Sequence, residues 1–125
     1  MKIQESAENY LETILILSEK KAHVRSIDIA TELNFSKPSV SIAMKNLREN
    51  GYIIMKPDGY ITLTEKGRAI ADTIYERHQV ISKMLMMLGV SEQTATEDAC
   101  RIDHVISPES FEAIKNHFFE YSHLK

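Results

Sequence analysis

The stretch VRSIDIATELNFSKPSVSIAMKNLRENGYI, residues 24–53, decides the fold of this 125-residue chain. Its first part has the spacing of a short amphipathic helix, with Ser26 as the expected N-cap and Ile27, Ala30 and Leu33 on the apolar face. The polar run KKAH precedes this helix, and Asn34 lies near its end. The pattern therefore predicts one short helix that ends in a tight turn.

A second helix begins directly after this turn. Ser36 is the expected N-cap, Lys37 and Pro38 occupy the first turn, and Gly51 ends the helix. Its apolar stripe consists of Val40, Ala43, Met44 and Leu47. Two short helices joined in this way are typical of a helix-turn-helix.

The flanking sequence extends the pattern in both directions. An amphipathic helix precedes it at about residues 5–21, and two β-prone runs around Pro57, Asp58 and Gly59 predict a hairpin after it. Thr64 then caps a long helix that ends at Gly89. Two more helices follow, capped by Ser91 and Ser107. The positions expected to be buried in the long helix are Ala69, Ile70, Ile74, Val80, Ile81, Met84, Leu85 and Leu88.

Composition and charge restrict the class of protein. The hydrophobic fraction of 43% and the charged fraction of 26% are ordinary for a globular protein, and the longest apolar runs are too short to cross a bilayer. The first residues lack the features of a secretory signal, so we expect a cytoplasmic protein with no membrane partner. Residues 1–70 contain ten basic and nine acidic side chains, and residues 71–125 contain five and nine. The acidic second half suits a cation.

The outward face of the second helix is a candidate DNA-binding surface. Such helices enter the major groove of double-stranded DNA, where serines and Ile42 suit base edges and Lys45 suits phosphates. Polar helices also occur as solvated scaffold, and the pattern alone leaves that alternative open. The candidate contacts, with Lys56 from the hairpin, are Ser36, Lys37, Pro38, Ser39, Ser41, Ile42, Lys45 and Lys56.

A metal-ligating pattern occurs in the second half of the chain. Cys100, Asp103 and His104 are spaced i, i+3 and i+4, which places a thiolate, a carboxylate and an imidazole within about one helical turn. His78 lies in the long helix before them, and Glu8, Asn9 and Glu12 share a face of the first helix. Taken singly, the cysteine also fits a small core residue and the histidine a structural group.

Several motifs in order resemble the diphtheria-toxin-repressor family, which includes the iron-dependent repressors and the manganese-transport regulators. They are NYLETI, VRSIDIATEL with SKPSVS, DGYITLTEKG, YERH and EDACRIDHVIS, and they cover about residues 6–115. The resemblance implies a mainly α protein with a winged helix-turn-helix DNA-binding domain at residues 1–70. A helical metal-binding and dimerisation domain at residues 71–125 would follow. The expected architecture is the short one, without an SH3-like domain.

The resemblance also implies ligands and a metal. By position it assigns metal binding to Asn9, Glu12, His78, Cys100, Asp103 and His104. The manganese regulators have aspartate at the position of Asn9 and glutamate at the position of Cys100, whereas the iron repressors have methionine and cysteine. The family's usual residue at Asp103 is glutamate. Because a thiolate favours a softer ion than Mn(II), Fe(II) is the first choice and Mn(II) the second, with Zn(II), Co(II) and Ni(II) able to bind in vitro.

These observations predict a homodimeric, metal-dependent repressor of palindromic operator DNA that controls genes of metal homeostasis, and not an enzyme. One alternative is a winged-helix regulator that senses an organic ligand or a protein partner. A remote alternative is a small metallohydrolase, for which the chain has no recognisable substrate-pocket motif. Dimerisation is expected from an apolar stripe on the last two helices, unless this stripe closes the core of the monomer. Its members are Val105, Ile106, Phe111, Ile114, Phe118 and Phe119.

Overall fold

The computed structural model describes residues 5–122, with side chains for residues 6–120. The elements in this range are α1 (Glu5–Lys20), α2 (Ser26–Leu33), α3 (Lys37–Glu49), β1 (Ile53–Met55), β2 (Ile61–Leu63), α4 (Glu65–Met87), α5 (Glu92–Val105) and α6 (Pro108–Ser122). The chain divides into two compact units, Met1–Asp72 and Thr73–Lys125, and the boundary falls inside α4. Within the described range, each helix is too short or too polar to cross a bilayer.

The N-terminal unit is built on the predicted helix-turn-helix. Helix α1 packs against α2 and β2, α2 packs against α3, and α3 packs against β1. Strands β1 and β2 pair antiparallel, with Ile53 opposite Leu63 and Met55 opposite Ile61. Burial of each large apolar side chain contributes about 1.5–3 kcal/mol. The most deeply buried of these side chains are Leu11, Ile14, Ile29, Val40 and Met44.

Hydroxyl side chains begin most of the helices, as the sequence predicts. The Thr64 hydroxyl accepts a hydrogen bond from the Gly67 amide at 3.1 Å and donates to the Gly51 carbonyl at 2.7 Å. Ser91 and Ser107 likewise accept hydrogen bonds from backbone amides three residues later. These bonds satisfy amides that have no partner inside the helix. The N-caps predicted at Thr64, Ser91 and Ser107 are confirmed.

The start of α2 differs from the prediction. Ser26 is the first helical residue and not the N-cap, a position that Arg25 occupies. The Asp28 carboxylate accepts from the Arg25 amide at 2.9 Å and also binds the Lys21 ammonium. The prediction of Ser26 was wrong because this carboxylate satisfies the backbone at the helix start. Ile27, expected in the core, is 43% exposed, whereas Ile29 is buried.

Gly67 lies where α4 begins, in close contact with the loop between α3 and β1. A Cβ atom at this position would lie 2.0 Å from the Tyr52 carbonyl oxygen, closer than any van der Waals contact allows. The same oxygen accepts a hydrogen bond from the Thr64 amide at 3.1 Å. Only glycine therefore permits the first turn of α4 to lie against this loop.

The C-terminal unit closes its core with residues from α4, α5 and α6. Its buried centre consists of Val80, Ile81, Ala99 and Phe111. Ile106, Ile114 and Phe118 of the predicted dimerisation stripe pack against this centre, whereas Val105 and Phe119 are exposed. Part of the stripe thus serves the core of one chain. Ala69 and Leu88 were expected to be buried, but both are exposed. Ala69 lies on the outward face of α4, and Leu88 follows the last residue of this helix.

Candidate DNA-binding surface and metal centre

The exposed face of α3 carries the predicted DNA contacts. The Ser36 hydroxyl accepts from the Ser39 amide at 3.3 Å, which fixes the first turn, and burial of Val40 and Met44 turns the opposite face to solvent. On that face Ile42 is 64% exposed. The other predicted contacts of this helix are also exposed: Ser36, Lys37, Pro38, Ser39, Ser41 and Lys45. A helix surface that combines hydroxyls, a cation and an apolar side chain suits both phosphates and base edges.

The hairpin forms the wing that the sequence predicts. Its turn is closed by hydrogen bonds from the Lys56 amide to the Tyr60 carbonyl at 2.9 Å and from the Gly59 amide to the Lys56 carbonyl at 2.8 Å. Gly59 has a φ of 89°, a conformation that side chains rarely adopt. Lys56 is exposed beside this turn. The wing therefore presents a cation to solvent near its tip.

The base of the wing contains a cluster that sequence reasoning missed. The Ile61 amide donates to the Val24 carbonyl at 2.7 Å, which attaches β2 to the segment before α2. The Tyr60 ring stacks on His23 with centroids 4.1 Å apart, and the Arg25 guanidinium lies 4.5 Å from the same ring. In the sequence, the residues before Val24 are recognisable only as a polar break between two helices. The available signal was the alternation of His23, Val24 and Arg25, which is typical of an extended strand.

The candidate metal centre in the C-terminal unit is built around Asp103. Its side chain is fully buried. One carboxylate oxygen lies 3.4 Å from Nδ1 of His78 on α4, and the other lies 3.3 Å from Nε2 of His104, the next residue on α5. The side chains of His78 and His104 are 20% and 3% exposed. The structure therefore brings three of the predicted ligands together.

The polar atoms of Asp103 fit a metal ion. Neither carboxylate oxygen accepts a hydrogen bond from any residue in the described part of the chain, although both are buried. A buried carboxylate is costly unless a cation or hydrogen-bond donors compensate its charge. One carboxylate and two imidazoles are a donor set that Fe(II), Mn(II) and Zn(II) accept. His78, Asp103 and His104 would hold the ion.

The other predicted ligands are Cys100, Asn9 and Glu12. Cys100 lies on α5, three residues before Asp103, and is exposed. Asn9 and Glu12 lie on α1 in the N-terminal unit, where Glu12 is buried and Asn9 is half-buried.

Comparisons with known proteins agree with this arrangement. Residues 2–61 match the family described as the iron-dependent repressor N-terminal DNA-binding domain. Residues 64–122 match the iron-dependent repressor metal-binding and dimerisation domain. Together the two matches cover nearly all of the chain. Both domains belong to repressors, so the alternative of a metallohydrolase has no support.

Individual relatives cover most of the chain. It is 36% identical over 115 residues to the helix-turn-helix transcriptional regulator MJ0568 of Methanocaldococcus jannaschii, which covers 90% of this chain and 92% of the relative. It is 34% identical over 112 residues to the transcriptional regulator MntR of Escherichia coli, with 90% and 72% covered.

A solved structure of the manganese regulator SloR has a TM-score of 0.80 and 28% identity, and it covers 97% of this chain and 55% of that chain. The present chain therefore spans about half the length of SloR. The family matches and these relatives lead to one conclusion. The chain belongs to the iron-dependent repressor family, in which a DNA-binding domain precedes a metal-binding and dimerisation domain.

Proposed function

We propose that this protein is a metal-dependent transcriptional repressor that binds palindromic operator DNA as a homodimer when Fe(II) or Mn(II) is bound. The observation that carries the proposal is the buried Asp103 carboxylate between the imidazoles of His78 and His104. The names of the relatives MntR and SloR support a role in transcription and in the response to manganese. Because its target is genomic DNA, the protein acts in the cytoplasm.

Metal binding and DNA binding are linked equilibria in this proposal. A bound ion would supply positive charge next to the buried Asp103 carboxylate. His78 on α4 and His104 on α5 bind the same ion, so metal favours conformations in which these helices are held together. If operator DNA prefers the same conformations, metal raises DNA affinity by the same factor by which DNA raises metal affinity.

The choice of metal depends on the residues beside this centre. Cys100 lies one turn before His104 with an exposed thiol, and we assign it as a further ligand that favours Fe(II) over Mn(II). The assignment of Asn9 and Glu12 rests on the family resemblance and stays a prediction. Zn(II), Co(II) and Ni(II) are expected to bind in vitro.

The DNA-binding mode follows from the exposed face of α3. This helix enters the major groove, with Ser39 and Ile42 against base edges and Lys45 on a phosphate. The wing, with Lys56 near its tip, reaches the adjacent groove. The stack of Tyr60 on His23 supports the wing from its base.

Operator binding by the purified metal-free chain tests the proposal. The protein is titrated anaerobically with Fe(II) and, separately, with Mn(II), and binding to labelled operator DNA is followed by fluorescence anisotropy. Binding should require metal, and His104→Ala should abolish the metal dependence while its circular dichroism stays that of wild type. Equal operator affinity with and without metal would instead support a regulator of another ligand class.

The variant Cys100→Glu tests the choice of metal in the same assay. A hard carboxylate in place of the thiolate should raise the ratio of Mn(II) to Fe(II) activation, even if total affinity falls. Cys100→Ser is the matched control, because it keeps the size of the side chain without adding a charge. A ratio that stays at the wild-type value in Cys100→Glu would show that Cys100 is not a ligand.

A further inference from the structure

Arg77 lies next to His78 on α4, and its side chain contacts both other helices of the C-terminal unit. Nη1 of Arg77 donates to the Asp103 carbonyl at 3.2 Å and to the Ile106 carbonyl at 3.2 Å. The guanidinium carbon lies 5.5 Å from the centre of the Phe111 ring on α6. A single side chain thus connects α4, the end of α5 and α6.

The Asp103 carbonyl needs such a partner because α5 ends two residues later. Helix α5 ends at Val105, and Ile106 is extended, with φ −71° and ψ 140°. The last four carbonyl groups of a helix have no amide partner inside it, and a cation near them is stabilised by the helix dipole. The Arg77 guanidinium supplies both the donor and the positive charge at this point.

The same bond fixes the backbone of a candidate metal ligand. Asp103 offers its carbonyl to Arg77 and its carboxylate to the centre with His78 and His104. Because both groups belong to one residue, fixing the carbonyl restricts the rotation of α5 and therefore the direction of the carboxylate. Arg77 and His78 are neighbours on α4, so the bond sets the Asp103 side chain relative to His78.

Packing alone does not explain an arginine here. Nε of Arg77 is buried and has no hydrogen-bond partner among the described residues. An unsatisfied buried donor costs about 1–3 kcal/mol. A methionine of similar length would fill the space without this cost, so the two bonds to carbonyl groups are what distinguishes arginine at this position.

We propose that Arg77 is a positioning residue of the metal centre. It holds the last turn of α5 so that Asp103 and His104 face His78, and it does not bind the ion itself. This inference rests on the proposed function, because it takes Asp103, His78 and His104 as ligands.

The chain offers a matched control in an ion pair of Glu76, the residue before Arg77. Lys115 of α6 donates to the Glu76 carboxylate of α4 at 3.2 Å. Lys115→Met therefore removes a polar link between two helices of the same unit but leaves the end of α5 untouched. A general loss of helix packing would appear in this variant as well as in Arg77→Met.

The experiment compares wild type, Arg77→Met, Arg77→Lys and Lys115→Met as the full chain. Each protein is titrated anaerobically with Co(II), whose visible absorption spectrum reports the geometry of its ligands. In Arg77→Met we expect the Kd for Co(II) to rise about 10- to 100-fold, the effect usual for residues that orient metal ligands, and the absorption bands to shift. Arg77→Lys should recover part of the affinity, because an ammonium can also donate to both carbonyls. Lys115→Met should keep the wild-type Kd and spectrum.

Hydrogen exchange of the metal-free proteins gives a second measurement that does not depend on metal. The amide of His104, in the last turn of α5, and the amide of Ile106, the C-cap that donates to the Ile102 carbonyl, should exchange faster in Arg77→Met than in wild type or Lys115→Met. If wild type fails to bind Co(II), the proposed metal function is wrong, whereas the exchange rates still test the hold of Arg77 on α5.

The inference about Arg77 is overturned if Arg77→Met binds Co(II) with the wild-type Kd and spectrum. It is also overturned if Lys115→Met shows the same loss, because the effect is then one of general packing. Should Arg77→Met fail to fold, Arg77→Gln replaces it, since its shorter, uncharged side chain can keep at most one of the two bonds to carbonyls. A wild-type Kd and spectrum in Arg77→Gln would overturn the inference too.

Discussion

The candidate DNA contacts on the outer face of α3 reach solvent, whereas the Asp103 carboxylate of the candidate metal centre is buried. Ser39, Ile42 and Lys45 are exposed, and Asp103 is inaccessible to solvent. The difference reflects the two partners. DNA is a large polyanion that meets a protein surface and displaces counterions, whereas a metal ion must replace its water with protein ligands in a confined place. An exposed contact costs little to maintain without its partner, but a buried carboxylate is costly without its cation.

The strongest test of this contrast is Asp103→Asn. We expect the affinity for Mn(II) to fall about 100-fold or more, because an amide replaces a charged ligand. The metal-free variant should be at least as stable as wild type, because the change removes a buried charge. Thermal unfolding with and without Mn(II) measures both effects: metal should raise the Tm of wild type and leave that of the variant unchanged.

Asp98→Asn is the control for Asp103→Asn, since Asp98 lies on the same helix with a side chain 45% exposed. It should retain wild-type metal binding. If the metal-free Asp103→Asn protein were clearly less stable than wild type, the buried carboxylate would be compensated without metal. The proposed difference between the exposed DNA contacts and the buried metal ligand would then be wrong.

Gly67→Ala tests how much the close contact of α4 with the loop before β1 contributes to stability. The added methyl group would meet the Tyr52 carbonyl oxygen. We expect the free energy of unfolding to fall by about 1–3 kcal/mol, the usual effect of overpacking, as measured by urea denaturation. Arg68→Ala, which removes an exposed ion pair with Asp72, should change it by less than about 0.5 kcal/mol. Equal stability of Gly67→Ala and wild type would mean that α4 can move away from the loop without cost.

Two substitutions on the exposed face of α3 distinguish phosphate contacts from base contacts. Lys45→Ala should weaken binding to every DNA sequence and reduce the slope of log affinity against log salt concentration by about 1. Ile42→Ala should lower operator affinity by about 1 kcal/mol, or about fivefold, with little effect on non-specific DNA. Anisotropy titrations at several salt concentrations separate the two. If both variants lost affinity in the same way, the division between base and phosphate contacts on this helix would be wrong.

The smallest expected effect is a pH dependence at the start of α2. The Lys21 ammonium, which donates to Asp28, holds the pKa of this carboxyl below its ordinary value of 3.8, and the Arg25 amide adds to the effect. A lowered pKa in the folded state means that the charged carboxylate stabilises the fold above about pH 4 and that this contribution is lost as the pH falls further. Asp28→Asn should therefore lower stability at pH 7 by about 0.5 kcal/mol or less, with a smaller difference at pH 3.

Urea unfolding of wild type and Asp28→Asn at both pH values measures this difference. Asp72→Asn serves as the control, because its carboxylate is exposed and pairs with the exposed guanidinium of Arg68. If the stability difference between wild type and Asp28→Asn grew as the pH fell, the expected direction of the pH dependence would be wrong.

The sequence predicts helix starts well where the decisive contact is local. Thr64, Ser91 and Ser107 each bind an amide three residues later, and this spacing is visible in the sequence. It fails at Ser26, where the Asp28 carboxylate binds the Arg25 amide and the extended segment just before the helix bridges from Val24 to Ile61. That partner lies far along the chain, and the spacing around Ser26 contains no sign of it.

In the candidate metal centre, too, local features are predictable from the sequence and features that depend on distant packing are not. Asp103 and His104 are neighbours in the sequence, so their proximity is predictable, and the family resemblance adds His78. The complete burial of Asp103 is not predictable from helical spacing, because burial depends on tertiary packing that the spacing does not encode. The contact between Tyr60 and His23 also escapes prediction, since the hairpin has to fold back before the two rings meet.

The attachment of the wing to the segment before α2 has a consequence for the DNA sequence that the protein can recognise. The hydrogen bond from Ile61 to Val24 and the contacts of Tyr60 with His23 and Arg25 join the hairpin to the helix-turn-helix by its base. The wing and α3 therefore cannot adjust separately to the DNA. One base pair inserted between the bases read by α3 and those beside the wing would displace the second contact by about 3.4 Å, one base-pair step. The operator half-site should then tolerate base changes at single positions better than any change in its length.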